Sequence, residues 1–182
     1  LDSIQGATER MRGLIDGLLA YSRVTTSNHP FAIVDLGQVA REVLSDLDAY
    51  IERVGGRVEL SELPILGADP VQMRQLLQNL IHNGLKFRKP DRSPAVRVDA
   101  KGVPGTGGGD SAKDAWRLIV SDDGIGFVER HRDRMFAIFQ RLNGRGQYDG
   151  NGIGLALCAR IVERHEGRIE AESTEGEGAT FT

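Results

Sequence analysis

The sequence predicts an α+β or α/β sandwich on a mixed sheet, entered through a separate helix. Three observations lead there. An apolar heptad opens the chain. Helix-period and strand-like runs then alternate irregularly, with adjacent strands joined by hairpin-like loops. Finally, 23 glycines, about one residue in eight, gather at a few places. A length of 182 residues suits one compact domain with an appendage, and 40% apolar with 27% charged residues is ordinary globular composition. A net charge of -3 and a pI near 5.8 lack the basic excess of a nucleic-acid binder. The single cysteine, Cys158, excludes an internal disulfide framework and a cysteine-rich zinc site. No apolar run reaches 18 residues, and LDSIQGATER lacks the regions of a signal peptide, so no membrane contact is expected of this chain.

Each element has its own signal. Ile4, Met11 and Leu18, interleaved with Ala7, Leu14 and Tyr21, place a heptad seam on a helix over residues 1–25, widened by Ile15 and Leu19. So short a helix cannot bury that stripe alone and needs a partner, in cis or from a second chain. Thr25 to Pro30 reads as a linker and Phe31–Val34 as an opening strand. Asp35 caps the next helix, with Gln38 as the return arm of a capping box, and Gly55-Gly56 stops it. Val58–Leu60 is a candidate strand. Asp69-Pro70 starts a helix with the leucine-rich stripe Met73, Leu76, Leu77, Leu80, Ile81 and Leu85, and Pro90 ends it. Ala95–Ala100 and Ala115–Val120 read as a hairpin around a glycine-rich spacer. A helix through Arg164 and the runs Arg168–Glu172 and Ala179–Thr182 complete the chain.

Three constellations can carry chemistry. Asn79 and Asn83, four apart, share a helix face with Lys86 at the next turn. Two amides can ligate a hard cation or meet phosphate oxygens, and a lysine pairs with phosphate; alone, the same pattern describes a solvated polar face. The segment VSDDGIGF runs a strand into Asp-x-Gly-x-Gly, where Asp122 or Asp123 could accept from an exocyclic amine, Asp122 being preferred. In isolation it is also an ordinary Asp-Gly turn. Gly150-Asn151-Gly152-Ile153-Gly154-Leu155 leads into a helix, and glycines there leave backbone N–H groups at the positive end of the helix dipole for an anion. It is neither a P-loop nor a dinucleotide-binding fingerprint.

Taken in this order, the three resemble the ATP-binding domain of sensor histidine kinases, in the superfamily shared with DNA gyrase, heat-shock chaperone and mismatch-repair ATPases. QNLIHNGLKF resembles the N box, DDGIGF the G1 box, MFAIFQRL the F box, GNGIGLAL the G2 box and GEGATF the last glycine motif. RMRGLIDGLLAYSRV resembles the second helix of the dimerisation and histidine-phosphotransfer bundle. KFRKPD and IFQRLNGR resemble kinases of the bacteriophytochrome type. The resemblance implies a two-layer α/β sandwich, a mixed sheet with three helices on one face, preceded by one helix of a dimeric four-helix bundle. It divides the chain into residues 1–27 (bundle helix), 28–35 (linker and first strand) and 36–182 (catalytic ATP-binding domain).

The same resemblance implies ATP and Mg²⁺ as ligands. Asn83 would hold the metal, with Asn79 beside it where hydrolytic relatives carry a glutamate; an amide cannot act as a base, which leaves the γ-phosphate for another acceptor. Lys86, Arg141, Gly152 and Gly154 would meet phosphates. Phe87 and Leu155 would line the pocket, and residues 127–151 would form a lid. Asp122 would read the adenine amine, with Gly124 and Gly126 giving ring and ribose room. The implied partners are a second copy, through the helix bundle, and a response regulator receiver domain, in the cytoplasm. The phosphoacceptor histidine is expected upstream of residue 1, because His29, His82, His131 and His165 all lack its sequence setting. His82 and Gly84 depart from the usual N box. Two alternatives stand beside the kinase: a hydrolytic ATPase, and a degenerate kinase that binds nucleotide and docks partners.

Overall fold

The computed structural model describes residues 2–26, 30–104, 115–132, 134–140 and 151–182. Its elements are α1 (Asp2–Thr26), β1 (Ala32–Asp35), α2 (Leu36–Val54), β2 (Arg57–Leu60), β3 (Ile65–Ala68), α3 (Pro70–Lys86), β4 (Ala95–Val103), β5 (Ala115–Asp122), α4 (Gly154–Arg164), β6 (Ala171–Thr174) and β7 (Gly178–Phe181). A 3-10 turn spans Glu129–His131. Five strands form one mixed sheet in the order β2-β4-β5-β7-β6, with β2 parallel to β4 and the other pairs antiparallel. Helix α3 packs between α2 and α4 and over β4 and β5, so three helices cover one face as expected. The core lies between these layers: Leu77, Ile81 and Leu85 of α3 are fully buried with Val43 of α2, Cys158 and Ile161 of α4, and Val98 of β4.

The helix starts follow the sequence. Asp35 Oδ1 accepts the Gln38 N–H at 3.0 Å and caps α2. The expected return arm of a capping box is not made, because the Gln38 side chain donates to Glu42 Oε1 at 3.1 Å, one turn on. At the far end the N–H groups of Gly55 and Gly56 return to the carbonyls of Glu52 and Ile51, at 3.0 and 2.9 Å. One strand was not expected: β3 pairs antiparallel with β1 in a two-stranded ribbon that sets Val34 opposite Leu66. Only one side of this ribbon reaches the core. Val34 and Ala68 are buried, whereas Ile33 and Ile65 stay 81% and 64% exposed.

Asp69 fastens the start of α3 to the end of α4. Its Oδ1 accepts the N–H groups of Val71 and Gln72, at 3.0 and 3.2 Å. Its Oδ2 pairs with Arg164 Nη1 at 2.7 Å, and its own N–H donates to His165 Nε2 at 3.1 Å. The Asp69 side chain is wholly inaccessible, and its charge is tolerated because both carboxylate oxygens are bonded, one to two helix N–H groups and the other to a guanidinium. Phe31, the residue before β1, stacks on His165 with ring centroids 4.6 Å apart.

This geometry separates two arginines of equal chemistry. Arg164→Ala strands a buried carboxylate and is expected to cost about 3 kcal/mol or more. Arg74 instead meets Glu42 and Asp46 on the surface, with its side chain 36% exposed, and Arg74→Ala should cost less than about 1 kcal/mol. Urea midpoints of the two variants check this, and equal losses would contradict the role given to Asp69.

Candidate functional site

One face of α3 forms the floor of a cavity of about 630 Å³. It presents Gln75, Asn79, His82, Asn83 and Lys86, with Phe87 just beyond the helix. The amide spacing seen in sequence therefore survives as a wall. Asn79 Nδ2 donates to the Gln75 carbonyl at 2.9 Å, one turn back. Its Oδ1 lies beside the start of α4, where a Cβ on Gly154 would come within 3.1 Å of it. His82, which departs from the usual N box, lines the cavity as well. Burial, and next the charges of Lys86 and Arg53, push its pKa down, and its ring sits 4.7 Å from that of Tyr50.

Opposite this wall stands the end of β5. Asp122 lines the cavity, and its Oδ1 accepts the N–H groups of Gly124 at 2.9 Å and Ala179 at 3.3 Å. Asp123 is spent elsewhere: its Oδ1 accepts the Ala95 N–H at 2.8 Å, closing the start of β4. Burial raises the Asp122 pKa to about 6, because the two N–H bonds only partly replace lost hydration and Asp123 adds repulsion.

The glycines around Asp122 answer to backbone contacts. Gly126 has φ +63°, and a Cβ there would overlap the Thr174 carbonyl oxygen; a Cβ on Gly178 would overlap that of Asp122. Gly126 also lines the cavity, whereas Gly124 packs under the Phe87 carbonyl, which accepts the Ile125 N–H at 2.9 Å. Ser173 ties this loop to the last hairpin. It accepts the Phe127 N–H at 2.8 Å and donates to the Gly178 carbonyl at 2.5 Å.

The third side is the segment from Asn151 into α4. Gly152, Gly154 and Leu155 all line the cavity. Ile153 at the N-cap of α4 makes no side-chain hydrogen bond, so among the described residues the first N–H groups of the helix, which have no intrahelical acceptor, are left at the cavity. The Gly152 carbonyl accepts the Phe139 N–H at 2.8 Å, which fixes this segment to residues 139–140. Met135, Phe127, Leu157 and Phe181 supply apolar wall. Arg141 lies outside the described residues, as do residues 133 and 141–150 of the lid expected over 127–151. Sequence reasoning missed Met135 and Phe181, whose apolar character marks only core, and also Gly13, Asp16 and Gly17 of α1, which line the same cavity.

The donor set suits a metal that arrives with its ligand. Among the described residues no group of three or more His, Cys, Asp or Glu could hold a metal ion. The cavity wall instead offers carboxamide oxygens, and Mg²⁺ beside a nucleotide needs only one or two protein oxygens.

An amide-bearing helix, a buried aspartate at a strand end and an uncapped helix start, converging on one cavity, define a nucleotide-type site. Residues 68–182 match the histidine kinase-, DNA gyrase B-, and HSP90-like ATPases, and the chain belongs to that family. It is 40% identical over 171 residues to the phytochrome-like protein Cph1 of Synechocystis sp., covering 94% of this chain and 22% of that protein. The chain thus spans about a fifth of the length of Cph1 and of the two Nostoc sp. cyanobacterial phytochromes it matches. Among solved structures, full-length ShkA in complex with AMPPNP superposes with a TM-score of 0.77 at 24% identity, covering 99% of this chain and 36% of that one. Histidine kinase ThkA in complex with response regulator protein TrrA gives 0.72 at 19% identity, covering 99% and 48%. At these identities the two structures establish the fold.

Asp122 gives a pH prediction for the unliganded protein. Its folded pKa of about 6 lies above the ordinary 3.8, so the folded state holds this proton more tightly than the unfolded chain does. The associated stability is present below about pH 4 and is lost as pH rises through about 6. Asp122→Asn keeps an acceptor for both N–H groups and removes the charge. It should therefore stabilise the unliganded chain at pH 8 by on the order of 1–3 kcal/mol, and by less at pH 5. Urea unfolding at both pH values checks this; a variant that destabilises at pH 8 would contradict it.

Proposed function

We propose that this chain is the ATP-binding catalytic part of a two-component sensor histidine kinase. The observation that carries the reading is the meeting of the α3 carboxamide face, Asp122 and the start of α4 around one cavity. Asp122 accepts the adenine amine, Gly126 leaves room for ring and ribose, Gly124 serves instead by fitting under the Phe87 carbonyl, and Phe87 and Leu155 flank the nucleotide. Lys86, Arg141 and the amides of Gly152 and Gly154 bind phosphates. Asn83 holds Mg²⁺, and the metal, when bound, neutralises charge developing on the phosphoryl oxygens.

Transfer is in line. The bond between the γ-phosphorus and its bridging oxygen breaks as a histidine nitrogen outside this chain bonds to that phosphorus. ADP leaves, and the phosphoryl group passes on to an aspartate of a response regulator. These residues act by positioning and charge stabilisation. Asn79, with its amide engaged by the helix, supplies no base to activate water, which disfavours the hydrolytic reading.

Residues 1–27 then belong to the bundle, 28–35 to the linker and first strand, and 36–182 to the catalytic domain. On α1, Met11, Ile15, Leu18 and Leu19 remain 63%, 55%, 48% and 47% exposed, an apolar strip that a four-helix dimer bundle would cover. No helix among the described residues is long and apolar enough to cross a membrane. The chain works in the cytoplasm, where ATP and the regulator are, and without nucleic acid.

The test uses the parent chain extended upstream, Mg²⁺ and γ-labelled ATP, with this chain alone as the blank. Acid-labile, base-stable label is expected on the extended chain only, and Asn83→Ala should slow labelling by about tenfold or more. No label with nucleotide binding intact would overturn the kinase in favour of a docking module. A second measurement follows Asp122: affinity for a non-hydrolysable ATP analogue should fall about tenfold between pH 7.5 and 5, as its carboxylate is protonated. A flat profile would remove Asp122 from adenine recognition.

A further inference from the structure

Helix α1 carries a second face that the bundle does not use. Gly13, Gly17, Ala20 and Val24, spaced four, three and four apart, turn toward the catalytic domain, the opposite of the exposed strip. Val24 is 2% exposed, and its carbonyl accepts Gln72 Nε2 at 3.3 Å, which anchors the end of α1 on the start of α3. Further up, the helix meets the glycine segment before α4. A Cβ on Gly13 would lie 2.5 Å from Asn151 Nδ2, and one on Gly17 would lie 2.9 Å from Ile153 Cδ1. The two glycines therefore form a notch that receives the residues on either side of Gly152. Asp16, between them, lines the same cavity as Asn83 and Lys86.

We propose that docking of α1 into this notch is a two-state contact that opposes nucleotide binding. The docked helix closes one side of the cavity at its glycine-segment end. It also holds the Asp16 carboxylate against the triphosphate, a like-charge contact strengthened where water is partly excluded. The coupling is reciprocal: nucleotide drives α1 off, and an undocked α1 raises nucleotide affinity. A signal that repositions the bundle helix would then be read as a change in ATP occupancy. The proposal rests on the nucleotide reading of the cavity.

The test compares this chain with Gly13→Gln/Gly17→Gln. Both changes favour the helix while their side chains fill the notch. By calorimetry with a non-hydrolysable ATP analogue and Mg²⁺, the double variant is expected to bind about fivefold or more tightly than the unmodified chain. Asp16→Asn, which leaves the notch intact, should show a smaller gain. Spin labels at the exposed positions Arg12 and Glu163 should move apart when the analogue saturates the unmodified chain, and stand apart in the double variant without it. Equal or weaker binding by the double variant, or a label distance that nucleotide does not change, overturns the proposal. Absence of binding by the unmodified chain overturns the nucleotide reading itself and this proposal with it.

Discussion

At the end of β5 the carboxylate of Asp122 is held by two backbone N–H groups, with no cation paired to it among the described residues, and much of the sheet's far side is arranged around that contact. One donor, Gly124, belongs to the loop that follows the strand, and the other, Ala179, to β7. Both can reach Asp122 only if backbones approach more closely than a side chain permits, which is what the glycines at 126 and 178 allow. Ser173 then joins loop and hairpin through one hydroxyl. The outcome is a carboxylate that is costly to ionise in the empty protein and well placed to accept from a ligand. On the proposed nucleotide reading, stability is given up here at the position where recognition needs it.

The opposite wall depends on a different buried carboxylate, and the contrast is instructive. Asp69 has an arginine, two helix N–H groups and no ligand to wait for. It fixes the first turn of α3 and the last turn of α4 as one unit, so the carboxamides of α3 and the uncapped start of α4 keep a constant separation across the cavity. Through His165 the same cluster reaches Phe31, just ahead of β1. The cavity is bounded by α1 on yet another side, which makes that helix part of the site's environment.

Sequence reasoning reached most of this and failed for identifiable reasons. Capping residues and helix periods are local signals, so α2, α3 and α4 were legible, as was the β4–β5 hairpin apart from its last residues. Strand β3 was not, because Pro64 precedes it, Gly67 interrupts it, and its outward isoleucine breaks the alternation that marks a half-buried strand. The chemistry-bearing residues Asn79, Asn83, Lys86, Asp122, Gly152 and Gly154 all reach one cavity. What the glycines do beside Asp122 was only half visible: sequence suggests room for a ligand, whereas the contacts at 126 and 178 are with backbone. The Asp69–Arg164 pair spans 95 positions, and the Gly13–Gly17 notch is defined only by what fills it. Neither leaves a local trace.

The account's central claim is that three separate segments make one nucleotide site. The most direct measurement is an amide NMR titration of this chain with a non-hydrolysable ATP analogue and Mg²⁺. The account predicts that the backbone amides of Gly124, Gly126, Gly152 and Gly154 and the side-chain amides of Asn79 and Asn83 shift together and saturate with one dissociation constant. Shifts confined to one segment, or different constants for the α3 carboxamides and the glycine amides, would contradict it.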